Sequence, residues 1–182
     1  MSVATSWGTT EEERALPFPC DGIVDAQACY WRGVTIDAPR VVVFRWLCQL
    51  RAAPYSYDLI DNRGRRSPQQ LTPGLDDLAV GQRMMFIFDL VSFQRDAHIT
   101  VRMRERGLAP RLFGDVAVSY TVSPTAAGTR LVAKLAVRYP RAPLGWLMRA
   151  VLPWGDLIMM RRQLLNLKRL AERQPPAPPS LP

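Results

Sequence analysis

The most informative part of the sequence is residues 146–171, which read WLMRAVLPWGDLIMMRRQLLNLKRLA. Uncharged, mostly apolar side chains recur in it at alternating steps of four and three residues. These are Trp146, Ala150, Pro153, Leu157, Met160, Leu164, Leu167 and Ala171. This spacing places the side chains on one stripe and predicts a long helix over residues 143–173.

The two ends of this helix differ in pattern. Its second half is two-faced, since Arg162, Asn166 and Arg169 lie opposite the apolar stripe. Its first half is apolar nearly all round, which is typical of a helix that covers a pocket mouth or another hydrophobic surface. Pro153 and Gly155 predict a kink or break between the halves.

The segments before this helix predict a strand, a shorter helix and an antiparallel sheet. The first strand covers residues 29–36, and Asp37-Ala38-Pro39 suits a helix start. That helix runs to about residue 50 with four side chains facing inward: Val43, Trp46, Leu47 and Leu50. Extended patterns then cover residues 83–93, 97–104, 115–123 and 129–139, and the last two alternate like strands with one buried face.

Composition favours one soluble domain. The chain has 182 residues, of which 48% are hydrophobic, and a formal net charge of +8. The basic residues are scattered and no recognition motif accompanies them, so we expect no nucleic-acid partner. Cys20, Cys29 and Cys48 lack metal-type spacing and the N-terminus shows no signal peptide, which favours the cytoplasm. The most apolar stretch is interrupted by charges, so no stable membrane insertion is expected.

The chain divides into three parts on its composition. Residues 1–27 are polar and mixed, and predict a flexible N-terminal arm. Residues 28–173 form the domain. Residues 174–182, QPPAPPSLP, predict a disordered tail because proline cannot continue a helix.

Three local patterns resemble the SRPBCC superfamily, the group of START-like and polyketide cyclase/dehydrase-type proteins. They are VTIDAP at residues 34–39, YSYD at residues 55–58 with Asn62 and Val80-Gly81 after it, and TRLV at residues 129–132 before MMRRQL at residues 159–164. The resemblance implies an α+β helix-grip (START-like) fold, a curved antiparallel β-sheet wrapped around a long C-terminal helix. It also implies an internal hydrophobic cavity. Many members bind or transport lipids, and some catalyse cyclisation.

The favoured function is binding, with transport as an extension, of a small hydrophobic or amphipathic ligand in that cavity, without a cofactor or metal. No residue is assigned a catalytic role. The candidate cavity-lining residues are Trp46, Tyr55, Tyr57, Asp58, Asn62, Phe86, Phe88, His98, Tyr120, Trp146, Met160 and Leu164. An alternative is a cyclase or dehydratase that uses Tyr57, Asp58 or His98 as acid or base. A third is a module that contacts a membrane surface or a partner through the first half of the last helix.

The polar candidates have structural interpretations as well. Tyr55, Tyr57, Asp58 and Asn62 could orient the polar end of a ligand, or Asp58 and Asn62 could instead cap or turn the backbone. His98, the only histidine, is explained better by a strand position with a satisfied neighbour than by an acid–base role. Trp146 and Met160 could line a pocket or simply pack the helix on the sheet.

Overall fold

The computed structural model describes residues 2–62 and 64–174. Its helices are α1 (Val3–Ser6), α2 (Glu11–Ala15), α3 (Arg40–Cys48), α4 (Asp58–Asp61), α5 (Ala109–Phe113) and α6 (Leu144–Glu172). Its strands are β1 (Ala28–Ile36), β2 (Arg83–Met84), β3 (Phe88–Gln94), β4 (His98–Met103), β5 (Asp115–Thr125) and β6 (Gly128–Arg138). Among the described residues, no helix combines the length and hydropathy of a bilayer-spanning segment.

All six strands form one antiparallel sheet in the order β1-β6-β5-β4-β3-β2. Alternate side chains of each strand point to opposite faces. Val118 and Tyr120 of β5 join the main core under α6, whereas Ala117, just before Val118, packs on the other face. We call the face under α6 the concave face and the opposite one the convex face.

The predicted strand over residues 83–93 is wrong in one respect, because the chain reverses within it. Met84 pairs with Phe88, so residues 85–87 form the turn of a hairpin. Met85 and Phe86 take positive φ angles there, a conformation favoured by glycine, asparagine and aspartate. Neither residue type signals such a turn, which is why the sequence pattern continued through it.

Helix α3 confirms the helix predicted after the first strand. Val43, Trp46, Leu47 and Leu50, the four side chains predicted to face inward, are all buried. The α-helix ends at Cys48, and a 3₁₀ turn over Gln49–Arg51 carries the chain to Pro54.

The sequence predicted a kink or a break at Pro153 and Gly155; helix α6 runs unbroken through both, so the break does not occur. A proline inside a helix removes one backbone hydrogen bond and crowds the preceding turn, at a cost of about 3 kcal/mol. Here the residues on both sides pack against the sheet, and such tertiary packing supplies most of a helix's stability. We call residues 144–156 the N-terminal half of α6 and residues 157–172 its C-terminal half.

Residues 2–27, predicted to be a flexible arm, lie against the convex face and the outer edge of β1. Phe18, Cys20 and Val24 form a second cluster with Trp31 and Val132. Because this part of the convex face is apolar, packing of residues 2–27 against it buries it from water. The sequence did not predict this packing, because the segments are too short to show a periodic pattern. Of the predicted disordered tail, residues 175–182 lie outside the described residues.

Candidate ligand cavity

A cavity of about 400 Å³ lies between the N-terminal half of α6 and the concave face. Side chains of α6 form its roof and side chains of β3 to β6 form much of its floor. The wall is almost entirely apolar and includes Met148, Val151, Leu152, Met159, Phe88, Phe113, Val116, Leu135 and Val137. This volume is in the range of pockets that hold small organic molecules.

A smaller compartment of about 190 Å³ adjoins this cavity. The two share five lining residues: Ile87, Phe88, Leu135, Asp156 and Met159. The smaller compartment extends towards Pro54 and Gln163, under the start of the C-terminal half of α6. Asp156 therefore lies on the wall of both spaces.

Asp156 is held in the wall by a buried ion pair. Its Oδ2 accepts a hydrogen bond from Nη2 of Arg32 at 2.8 Å, and the Arg32 side chain is fully buried. Arg32 also donates to the carbonyl oxygens of Ala4 and Trp31, at 2.8 and 2.9 Å. The arginine thus ties α1, β1 and α6 together at the edge of the cavity.

Burial shifts the pKa values of both members of this pair. It raises the pKa of Asp156 to about 6, since loss of water around the carboxylate outweighs attraction by Arg32. Burial likewise lowers the pKa of Arg32, although an arginine remains charged at neutral pH. Within the described residues, Asp156 Oδ1 receives no hydrogen bond, and the side chain is 11% exposed. One carboxylate oxygen is therefore available to a molecule in the cavity.

The smaller compartment contains a satisfied polar chain. Tyr120 Oη donates to Gln163 Oε1 at 2.8 Å, and Gln163 Nε2 donates to the carbonyl oxygen of Pro54 at 2.7 Å. Burial raises the pKa of Tyr120, so its hydroxyl stays protonated. Because these groups already have hydrogen-bond partners, they fix the shape of the wall and offer little for a ligand to bind.

Three of the residues proposed from the sequence line these spaces. Phe88 lies on the wall of both, and Tyr120 and Met160 lie on the wall of the smaller compartment. Phe88 and Tyr120 follow the two-residue spacing of buried strand positions, and Met160 follows the helical spacing of the apolar stripe in α6. These spacings identified them in the sequence.

Three other candidates belong to the packed core. Trp46, Tyr55 and Leu164 are at most 1% exposed, and none lines the cavity. The rings of Trp46 and Tyr55 meet edge to face, with centroids 6.1 Å apart. Their role is to pack α3 against the segment that follows it.

The polar cluster after α3 lies outside the cavity. Tyr57 and Asp58 line a separate pocket of about 440 Å³, together with Arg162. Asp58 accepts hydrogen bonds from the backbone and hydroxyl of Ser67, and Asn62 donates to the carbonyl oxygen of Arg65. These two side chains therefore shape the backbone, as the structural interpretation held.

The structure also places His98, Trp146 and Phe86 away from the interior. His98 shares the convex face with Thr100 and is hydrogen-bonded to Ser92 at 3.1 Å. Trp146 is 72% exposed because the N-terminal half of α6 turns Met148 and Leu152 inward instead. Phe86 lies at the tip of the β2–β3 turn and is partly exposed.

Sequence reasoning missed Arg32 and Asp156. Each had a signal: Asp156 interrupts the most apolar part of the last helix, and Arg32 shares the inward parity of Tyr30 and Val34 in β1. A charged residue at an inward position requires a partner, because an unpaired charge is costly to bury. Two such positions of opposite charge would have suggested this ion pair.

The comparisons with known proteins agree with this architecture. Residues 32–172 match the family described as polyketide cyclase / dehydrase and lipid transport. No curated protein sequence matches the chain.

Solved structures share the fold at low identity. Protein CV1439 of Chromobacterium violaceum is 15% identical, with a TM-score of 0.52 over 80% of this chain and 99% of its own. Norcoclaurine synthase of Thalictrum flavum is 13% identical, with a TM-score of 0.51 over 80% and 87%. Protein MLL2253 of Mesorhizobium loti is 18% identical, with a TM-score of 0.50 over 81% and 98%.

At these identities the structural likeness shows the fold alone, and it confirms the predicted helix-grip arrangement of a curved antiparallel sheet around a long C-terminal helix. The family match covers most of the chain and includes both Arg32 and Asp156. The chain therefore belongs to the polyketide cyclase/dehydrase and lipid transport family of the SRPBCC superfamily.

Proposed function

We propose that this protein binds a small amphipathic molecule in the cavity under the N-terminal half of α6. The observation that carries this proposal is an apolar space of about 400 Å³ with an available carboxylate oxygen, that of Asp156, on its wall. Removing about 200 Å² of apolar ligand surface from water would contribute about 5 kcal/mol. Part of this is offset by the freedom that the ligand loses on binding.

The ion pair of Arg32 and Asp156 determines which polar group of a ligand the site can bind. Arg32 already neutralises Asp156, so the site offers a hydrogen-bond acceptor without much net charge. A neutral donor such as a hydroxyl suits this acceptor better than an ammonium group does. The expected ligand is therefore an aromatic or aliphatic alcohol, or a phenol, with its hydroxyl at Asp156.

A matched pair of variants on α6 tests the location. Met159 lines the cavity, whereas its neighbour Ile158 is 54% exposed and lines neither compartment. Met159→Trp should fill the space and weaken the binding of 2-naphthol, measured by fluorescence titration, by about tenfold or more. Ile158→Trp should bind like the wild type. Equal binding by both variants would place the probe elsewhere.

A second pair of measurements tests the polar end. The double variant Arg32→Met with Asp156→Leu replaces the ion pair by apolar groups, a change that is often neutral for stability. Wild type should prefer 2-naphthol to 2-methoxynaphthalene, which has no donor, by roughly fivefold to tenfold. The double variant should bind both alike. An unchanged preference would remove Asp156 from the site.

The raised pKa of Asp156 favours a second candidate function, acid–base catalysis in the same cavity. A carboxylate of pKa about 6 is a stronger base than an exposed aspartate. It could take a proton from the carbon next to a ligand carbonyl, which is the first step of an aldol cyclisation. The enolate carbon would then bond to a second carbonyl carbon of the same ligand, and the oxygen of that carbonyl would take up the proton. Tyr57, Asp58 and His98 are not proposed for this role, because they line neither compartment.

Proton exchange reports on this chemistry directly. Wild type should speed the loss of α-deuterium from 2-tetralone in ordinary water, followed by NMR, and the double variant should not. If wild type and double variant exchange deuterium at the same rate, the cavity binds without this catalysis.

A further inference from the structure

Exposed apolar side chains are concentrated around the cavity mouth. Among the described residues, 17 large hydrophobic side chains are exposed, and 11 of them belong to α4, the β2–β3 turn, α5 and α6. Each of these four segments also contributes to the cavity wall, through Ile60, Ile87, Phe113 and Val151 respectively. An exposed apolar surface this concentrated is typical of a site that contacts a partner or a membrane.

The N-terminal half of α6 supplies the longest part of this surface. Leu147, Val151, Trp154 and Ile158 are each at least half exposed and follow one another at steps of four, three and four residues. They form a stripe of about 16 Å on the helix. Val151 also lines the cavity, so the stripe runs directly from the mouth.

The charge around this surface is positive. Between residues 141 and 171, Asp156 is the only acidic residue, and Arg32 neutralises it. The basic residues of that range are Arg141, Arg149, Arg161, Arg162, Lys168 and Arg169. Two carboxylates on α4, Asp58 and Asp61, are hydrogen-bonded to Ser67 and Ser56 and are outnumbered by these basic residues. The chain just before and within α5 adds Arg106 and Arg111 against Glu105.

We propose that this surface docks on a lipid bilayer that contains anionic lipids, with the cavity mouth against the acyl chains. An exposed stripe with tryptophan, flanked by arginines, has the composition of interfacial helices. Anionic headgroups complement its charge. A second copy of the chain would instead bring two arginine-rich surfaces together, which repel. The proposal goes beyond ligand binding and does not require it.

Co-sedimentation with vesicles tests the proposal. Full-length protein should bind vesicles of equal parts phosphatidylcholine and phosphatidylserine, bind pure phosphatidylcholine weakly, and dissociate as salt is raised. The variant Leu147→Ser with Trp154→Ser should lower the partition coefficient by about tenfold or more. The control Leu16→Ser with Val80→Ser removes two equally exposed apolar side chains elsewhere and should leave it unchanged.

Three results would overturn the proposal. One is an equal effect of the two double variants on vesicle binding. Another is equal binding to charged and uncharged vesicles. The third is a dimer in light scattering that the Leu147→Ser/Trp154→Ser variant abolishes, since a second copy would then cover this surface. The 2-naphthol titration is independent of all three, so a failure here is distinguishable from a failure of the ligand site.

Discussion

The two halves of α6 belong to one continuous helix but have opposite surroundings. The C-terminal half buries Leu157, Leu164 and Leu167 in the core. The N-terminal half covers a cavity on its inner side and leaves Leu147 and Trp154 exposed on its outer side. Apolar residues in the C-terminal half hold the fold together, whereas those in the N-terminal half surround a space and a surface that the fold itself does not need.

The ion pair of Arg32 and Asp156 marks the boundary between these halves. It joins the helix to β1 and to α1 where close packing ends and the cavity begins. This pair is therefore the first place at which to test the difference between the two halves of α6.

The largest expected effect is that of Arg32→Met. It leaves a buried carboxylate without its cation and should lower the free energy of unfolding by about 3–5 kcal/mol at neutral pH. Urea unfolding followed by circular dichroism measures this loss. Arg141→Met, at an exposed position before α6, should change stability by less than about 0.5 kcal/mol. A loss below about 1 kcal/mol in Arg32→Met would mean that the pair does not hold the boundary.

The contrast between halves is tested by two leucines. Leu164→Ala removes a fully buried side chain and should cost about 2–5 kcal/mol. Leu147→Ala removes one that is 56% exposed and should cost less than about 0.5 kcal/mol. The same urea unfolding measures both. Similar losses would show that the N-terminal half also packs closely.

The smallest of these effects is a dependence on pH. The folded state raises the pKa of Asp156 from its ordinary value of 3.8 to about 6, so it binds this proton more tightly than the unfolded state does. That contribution to stability is complete below about pH 4 and is lost as pH rises through about 6. Between those values, wild type should lose stability relative to Asp156→Asn by on the order of 2–3 kcal/mol. Parallel pH profiles of the two proteins would contradict a buried, protonatable Asp156.

Much of the fold could be predicted from the sequence, because periodicity reports which face of an element is buried. The alternation in β5 and β6 and the spacing in α3 gave the sheet and the inner helix. The β2–β3 turn was not predicted, because Met85 and Phe86 are not turn-forming residue types. At Pro153 the error was the opposite one, because the sequence contains a helix-breaking residue and yet the helix continues. Tertiary packing outweighed this local signal.

The site was harder to predict, because a cavity depends on where packing stops. Trp146 fits the same stripe as Leu164, yet it is exposed because the inward face of α6 shifts between its two halves. Phe88 and Tyr120 were found as core-like positions next to the space. Arg32 and Asp156 lie far apart in the chain, and only the fold brings them together.

Amide hydrogen exchange with and without saturating 2-naphthol locates the bound ligand on the molecule. We expect the probe to slow exchange in the N-terminal half of α6 and in residues 85–88, and to leave residues 11–24 on the convex face unchanged. Protection confined to residues 55–62 and 64–69, which border the separate pocket with Tyr57, would place the ligand outside the cavity and overturn the proposed site.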